Sequence, residues 1–154
     1  WVRGAPVIKG YLNREDATAE TITDGWLHTG DIAYLDEDGF IYLVDRAKDM
    51  VLRGGENVYC AEVENALFSH SEVIECIVFS VPDERLGEVV GAAIFMSEGS
   101  SIKAAELREY CSNLLAAYKV PQYIWFVDEP LPKNANGKFM KRAVKEKLDI
   151  ENAA

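Results

Sequence analysis

Two apolar runs rich in β-branched residues, 73–81 and 89–96, constrain this chain more than anything else in it. Each has the length of a buried strand, and Pro82-Asp83 ends the first. Buried strands need a sheet, and the sheet needs cover from neighbouring segments. Those segments read as helices. Within 61–67, Val63 and Leu67 stand one helical repeat apart, and Glu62 and Glu64 sit early, where the positive end of the helix dipole favours acids. Over 104–118, Leu107, Cys111, Leu114 and Tyr118 form one apolar stripe, with Glu106, Arg108 and Glu109 elsewhere and Pro121 as the stop. Residues 123–127 read as a third strand, Pro130-Leu131-Pro132 opens a loop, and 139–148 read as a last short helix. The order strand, strand, helix, strand, with helices before and after, predicts an α+β fold: a small sheet covered by helices.

Upstream, residues 5–12 read as a short strand and 13–24 as polar turns. Residues 32–35 and 40–44 flank Asp36-Glu37-Asp38-Gly39 and predict a hairpin. This part is β-rich and too small to close a core. A boundary is therefore expected at Asp45, with residues 1–45 the C-terminal edge of a larger N-terminal body and 46–154 a small C-terminal domain. The first residues, Trp1-Val2-Arg3-Gly4, hold no initiator methionine and no basic-then-apolar leader, as expected of a cut through a longer protein.

Charge narrows the partners. The net charge of −10 argues against nucleic acid or an anionic membrane, and no apolar run approaches the roughly 20 residues of a bilayer span. Residues 133–147 nevertheless hold six basic residues and one acid, a local +5, so the remainder carries −15. A basic tail on an acidic protein suits a small anionic ligand; the alternative is a solvated helix face. Cys60, Cys76 and Cys111 are odd in number and form no CxxC pair, so neither a disulfide framework nor a metal site is expected. Cys76 and Cys111 read as small buried hydrophobes, and a reduced, cytoplasmic setting follows.

Three polar clusters and one glycine pair carry candidate chemistry. Thr29-Gly30-Asp31 places a carboxylate at a strand start, able to accept both hydroxyls of a ribose, or simply to cap its own turn. Arg46 and Lys48 flank Ala47 at the expected boundary. Arg46 offers a rigid fork of donors for ribose or phosphate oxygens, and Lys48 sits where a joint can absorb backbone rotation. The alternative is two screened surface cations. Gly54-Gly55 lets a backbone approach a ligand, or makes a plain turn. Asn134-Ala135-Asn136-Gly137-Lys138 reads as a flexible loop ending in a cation able to stabilise charge on a phosphoryl transition state, or as a loop lysine in water.

In this order the clusters resemble the adenylate-forming superfamily, and most closely its acyl-CoA synthetases. The matching text is Gly25-Trp26-Leu27-His28-Thr29-Gly30-Asp31, Val44-Asp45-Arg46-Ala47-Lys48-Asp49, Gly54-Gly55-Glu56-Asn57-Val58-Tyr59 with Glu62-Val63-Glu64, Val81-Pro82-Asp83-Glu84 with Gly87-Glu88, and Leu131-Pro132-Lys133 with Gly137-Lys138. The resemblance spans nearly the whole chain.

It implies a two-step reaction: a carboxylate attacks the α-phosphate of ATP to give acyl-AMP, then the CoA thiol displaces AMP. Residues 46–154 would form the mobile lid that changes pose between steps. By position, Asp31 and Arg46 match the ribose ligands, Lys48 the hinge, Lys138 the lysine bridging carboxylate and phosphate, and Gly54 and Gly55 the pantetheine channel. The family's Ser/Thr/Gly-rich phosphate loop and acyl pocket would belong to the N-terminal domain this chain lacks, which would also hold most of the Mg2+ contacts. The fragment is therefore expected to turn nothing over alone, and a place in fatty-acid metabolism is the expected setting. Leu52 stands where the coumarate-ligase and luciferase branch carries a second lysine, which argues against luciferase-type oxidation. An adenylation unit loading a carrier-protein phosphopantetheine, or a non-catalytic interaction module, are the other readings.

Overall fold

In the computed structural model, which describes residues 1–154 apart from the Glu151 side chain, the chain divides into two compact units, Trp1–Lys48 and Asp49–Ala154. The change of unit falls three residues beyond Asp45, so Arg46 and Lys48 belong to the first. That unit holds helix α1 (Glu15–Thr21), the two-residue ribbon β1 (Ile22–Thr23) with β2 (Trp26–Leu27), and the antiparallel hairpin β3 (Asp31–Leu35) with β4 (Ile41–Arg46). Asp36 builds the hairpin turn: its Oδ1 accepts from the Asp38 N–H at 3.0 Å and the Phe40 N–H at 2.8 Å. No described residue of this unit is buried, and Leu35, Phe40, Ile41 and Leu43 stay 66–72% exposed.

Two expectations fail here. Residues 5–12 are bends and turns, with one isolated bridge from Tyr11 to Arg14. Pro6 removes a ladder donor, and Gly4 and Gly10 bring no side chain to pack. Residues 13–24 contain α1, which has no buried residue and so no apolar period to reveal it.

The second unit runs β5 (Val51–Arg53), β6 (Glu56–Val58), α2 (Cys60–Phe68), β7 (Val73–Asp83), β8 (Gly87–Met96), α3 (Ala104–Ser112), β9 (Tyr123–Val127) and α4 (Lys141–Lys145), with single 3-10 turns at Ala117–Lys119 and Ile150–Asn152. The strands form one sheet in the order β6-β5-β8-β7, with β9 parallel to β8. This is the expected α+β arrangement. None of the described helices is long and apolar enough to cross a membrane.

Alternation along the strands gives the sheet two apolar faces. On one, Cys76 and Val78 of β7, Val90, Ala92 and Ile94 of β8, and Ile124 of β9 meet Val63 and Leu67 of α2 and Leu107 and Cys111 of α3. On the other, Ile77, Phe79, Val81, Val89, Ala93 and Trp125 meet Leu131 and Val144. Burial on both faces is why 73–81 and 89–96 read as unbroken apolar runs. Full burial of a side chain such as Leu67 or Ile94, both 0% exposed, contributes about 1.5–3 kcal/mol.

Three boundaries differ from the expected ones. β7 continues through Pro82, which pairs with Glu88, because an edge strand tolerates a missing N–H. α3 stops at Ser112, where the Ser112 hydroxyl and the Asn113 amide both bond back to the Glu109 carbonyl at 2.7 and 3.0 Å. Leu114 is consequently 55% exposed, and Leu115 packs on the core in its place. The last helix is only Lys141–Lys145, since Phe139 is bridged to Lys133 and the Met140 N–H goes to the Pro132 carbonyl at 2.9 Å.

Gly91 marks the tightest point of the second face. A Cβ there would lie 2.6 Å from Val81 Cγ2 and 3.0 Å from the Trp125 ring. Gly91→Ala is expected to lower stability by about 1–3 kcal/mol through overpacking. Urea unfolding followed by tryptophan fluorescence measures it; an unchanged midpoint would mean a loosely packed face.

Candidate functional site

The β3–β4 register sets Asp31 opposite Arg46 and Ile32 opposite Asp45. Two clusters separated in sequence thereby become neighbours: the Ala47 N–H donates to the Gly30 carbonyl at 2.8 Å, and Arg46 Nε lies 3.2 Å from Asp31 Oδ1. Gly30 takes φ +75°, and the Asp31 N–H is held by Thr29 Oγ1 at 3.1 Å. The Arg46 and Asp31 side chains are 44% and 28% exposed. So open an ion pair adds at most about 1 kcal/mol of stability, yet it presents a carboxylate and a guanidinium fork side by side. Lys48 is exposed in the turn that ends this unit.

In the second unit, Gly54 and Gly55 take φ +58° and +92° between the paired residues Arg53 and Glu56, a two-residue hairpin turn that demands glycine. The turn requirement accounts for both glycines whether or not a ligand comes near. The β7–β8 hairpin supports it: the Leu86 carbonyl of its turn accepts the Gly54 N–H at 2.8 Å, and the Glu88 carboxylate of β8 accepts the Leu52 N–H at 2.8 Å. A Cβ on Gly55 would meet nothing, so its outer side is open.

The segment expected as a flexible loop is a closed turn. Lys133 bridges to Phe139, and the Asn134 N–H donates to the Lys138 carbonyl at 2.9 Å. Asn134 Oδ1 accepts two backbone N–H groups, from Asn136 at 3.0 Å and Lys138 at 2.9 Å. Lys138 projects exposed from this turn, without an ion pair among the described residues. Most of the other cations of the basic stretch are engaged. Lys133 pairs with Glu75 at 2.6 Å, Lys141 with Glu64 and Arg142 with Glu146 at 2.8 Å, and Lys145 reaches Ser80 Oγ at 3.4 Å.

Sequence reasoning missed these supports. Asn134 carries a turn signature, Asn-x-x-Gly, that could have marked it; Glu64, Glu75 and Glu88 carry none, since their partners lie far along the chain. Burial alone would raise the Glu75 carboxyl, but the Lys133 ammonium and the Leu131 N–H outweigh it and hold it below the ordinary glutamate value. Burial would lower the Lys141 ammonium, but Glu64 more than compensates and lifts it above the ordinary lysine value. Burial pushes the Cys111 thiol up to about 11 and raises Cys76 as well, so neither is a nucleophile near neutral pH. Among the described residues no cluster of three or more His, Cys, Asp or Glu side chains could hold a metal ion.

The sign of the Glu75 shift fixes a pH window. A depressed folded-state pKa means a contribution fully present above the unfolded value of 4.5 and lost as pH falls through the lower folded value. Glu75→Gln should therefore flatten the loss of stability with acid below about pH 4.5, measured as urea midpoints between pH 3 and 6. A slope as steep as the parent's would remove Glu75 from the acid transition.

The family described as AMP-binding enzyme C-terminal domain matches residues 62–138. A 2-succinylbenzoate–CoA ligase of Geobacillus sp. (strain WCH70) is 47% identical over 154 residues, which cover 99% of this chain and 31% of the relative. Among solved structures, o-succinylbenzoate CoA synthetase (MenE) from Bacillus subtilis, in complex with the acyl-adenylate intermediate OSB-AMP, matches with a TM-score of 0.85 and 40% identity, over 96% of this chain and 30% of that one. The amide bond synthetase McbA from Marinactinospora thermotolerans matches with a TM-score of 0.80 and 34% identity, over 92% and 29%. The chain thus spans about 30% of the length of the curated relatives it matches. By the family match across residues 62–138 and the shared fold, it belongs to the C-terminal domain family of the AMP-binding, adenylate-forming enzymes.

Proposed function

We propose that this chain is the C-terminal portion of an AMP-forming acid–thiol ligase, which activates a carboxylate as acyl-AMP with ATP and passes the acyl group to CoA. The observation that carries the reading is Lys138: an exposed ammonium without an ion pair among the described residues, on an ordered turn, in a stretch whose other cations are mostly engaged. In this reading Lys138 neutralises the negative charge that builds on the α-phosphate as the carboxylate oxygen attacks and pyrophosphate leaves. Asp31 and Arg46 hold the ribose hydroxyls, Lys48 serves as the hinge, and the open side of Gly54-Gly55 borders the pantetheine arm of CoA.

The relatives named as 2-succinylbenzoate–CoA ligases favour 2-succinylbenzoate as the carboxylate over a fatty acid. The acyl pocket, the ATP phosphate loop and most of the Mg2+ contacts then belong to an N-terminal domain. The exposed apolar residues of the β3–β4 hairpin support an origin of the first unit at the edge of such a body. Three free thiols suit a cytoplasmic setting. A carrier-protein phosphopantetheine in place of CoA is the second reading; likeness to both a CoA synthetase and a protein named as an amide bond synthetase supports a C-terminal unit that does not dictate the acceptor. Release of free acyl-CoA by the complete enzyme decides between them. The presence of Lys138 disfavours a non-catalytic module.

Lys138→Ala in the complete enzyme should lower ATP–pyrophosphate exchange by about 10²–10³-fold, the scale of losing one transition-state donor. Thioester formation from supplied acyl-AMP should change far less. Equal loss in both half-reactions would refute the assignment.

A further inference from the structure

A lysine side chain on an unrestrained loop samples a wide volume, and a reacting phosphate needs its ammonium in one place. The turn that carries Lys138 is held to the sheet at its two feet. On one side, Glu75 of β7 accepts the Leu131 N–H at 2.7 Å and the Lys133 ammonium at 2.6 Å. On the other, Lys141 lies 2.8 Å from Glu64 of α2 and donates to the Val78 carbonyl of β7 at 3.0 Å. Between these feet the reversal at residues 134–138 is closed by two backbone bonds, Asn134 N–H to the Lys138 carbonyl and Gly137 N–H to the Asn134 carbonyl, and one side-chain atom adds two more. Asn134 Oδ1 takes the N–H of Asn136 and the N–H of Lys138 itself, while Gly137, at φ +77°, completes the reversal.

We infer that Asn134 is a positioning residue for Lys138: its amide oxygen fixes the backbone from which the lysine reaches the reacting phosphate. The inference rests on the adenylation role proposed for Lys138. Alanine at 134 leaves two N–H groups to water, while the backbone bonds that close the turn remain: Asn134 N–H to the Lys138 carbonyl and Gly137 N–H to the Asn134 carbonyl, both at 2.9 Å, beside the Lys133–Phe139 bridge. Threonine keeps a side-chain oxygen able to accept the same donors, adds no charge, and meets no positive φ at this position.

The test uses the complete enzyme with both half-reactions measured. Asn134→Ala should lower ATP–pyrophosphate exchange by about 10–100-fold, the scale of a reacting group displaced by about 1 Å. The loss should fall on kcat, with KM for ATP little changed and thioester formation from supplied acyl-AMP intact. Asn134→Thr should recover most of the exchange. Added to Lys138→Ala, Asn134→Ala should cause no further loss, because it acts through the lysine. Equal loss in both half-reactions, a multiplied loss in the double variant, or no recovery with threonine would each overturn the inference. Full exchange in Asn134→Ala beside a crippled Lys138→Ala overturns it alone. Full exchange in Lys138→Ala removes the functional reading and this inference with it.

Discussion

The Glu64 carboxylate ties three elements of the second unit together at the open edge of its sheet. Among the described strands β7 pairs with β8 alone, so its outer edge presents backbone groups that no strand pairs. Glu64 Oε1 accepts the Val78 N–H at 2.8 Å and lies 2.8 Å from Lys141, whose ammonium donates to the Val78 carbonyl. Two side chains thus replace the missing strand at this point. They also join three elements, since Glu64 is on α2, Val78 on β7 and Lys141 on α4. α4 is five residues long and could not persist in water on its own. It stays in place because Lys141 is clamped to the strand edge and Val144 is buried in the second face.

The same clamp reshapes the meaning of charge. A +5 stretch in a −10 chain invites the thought of a bound anion, yet Lys133 and Lys141 serve carboxylates of their own unit, and Arg142 pairs one helical turn on with Glu146. Local charge density therefore overstates what the stretch can offer a ligand. What it does offer is narrower and more specific: a lysine on an ordered turn, with the nearest cations on either side of it in sequence already committed.

Legibility followed burial. The strand runs 73–81, 89–96 and 123–127 are readable because both faces of the sheet are covered, which turns each into a run of apolar residues. The β3–β4 hairpin was readable from its acidic turn and glycine. α1 was not, because a helix that buries nothing leaves no stripe. The stripe over 104–118 predicts too long a helix: Leu114 keeps helical spacing with Leu107 and Cys111, but Ser112 and Asn113 divert the Glu109 carbonyl and end the helix first. Of the site, Asp31 with Arg46 was legible as two clusters, although their pairing needed the hairpin register. The order in the lysine turn was not legible, since Asn, Gly and Lys compose flexible loops as readily as stapled ones.

Rigidity and mobility then act at different levels. The proposed chemistry needs a cation at the phosphate during one step and gains nothing from it in the next, since equal stabilisation of ground and transition states does not raise kcat. A lysine built into the nucleotide site would remain beside AMP throughout. Asp31 and Arg46 sit in the first unit and Lys138 in the second, with the change of unit immediately after Lys48. In the proposed reading a joint between units would time the arrival of the lysine, but a joint alone could not aim an ammonium at one oxygen. Aim would then have to come from the turn, where the Asn134 amide oxygen adds two bonds, one of them to the backbone of Lys138, to those of the backbone itself.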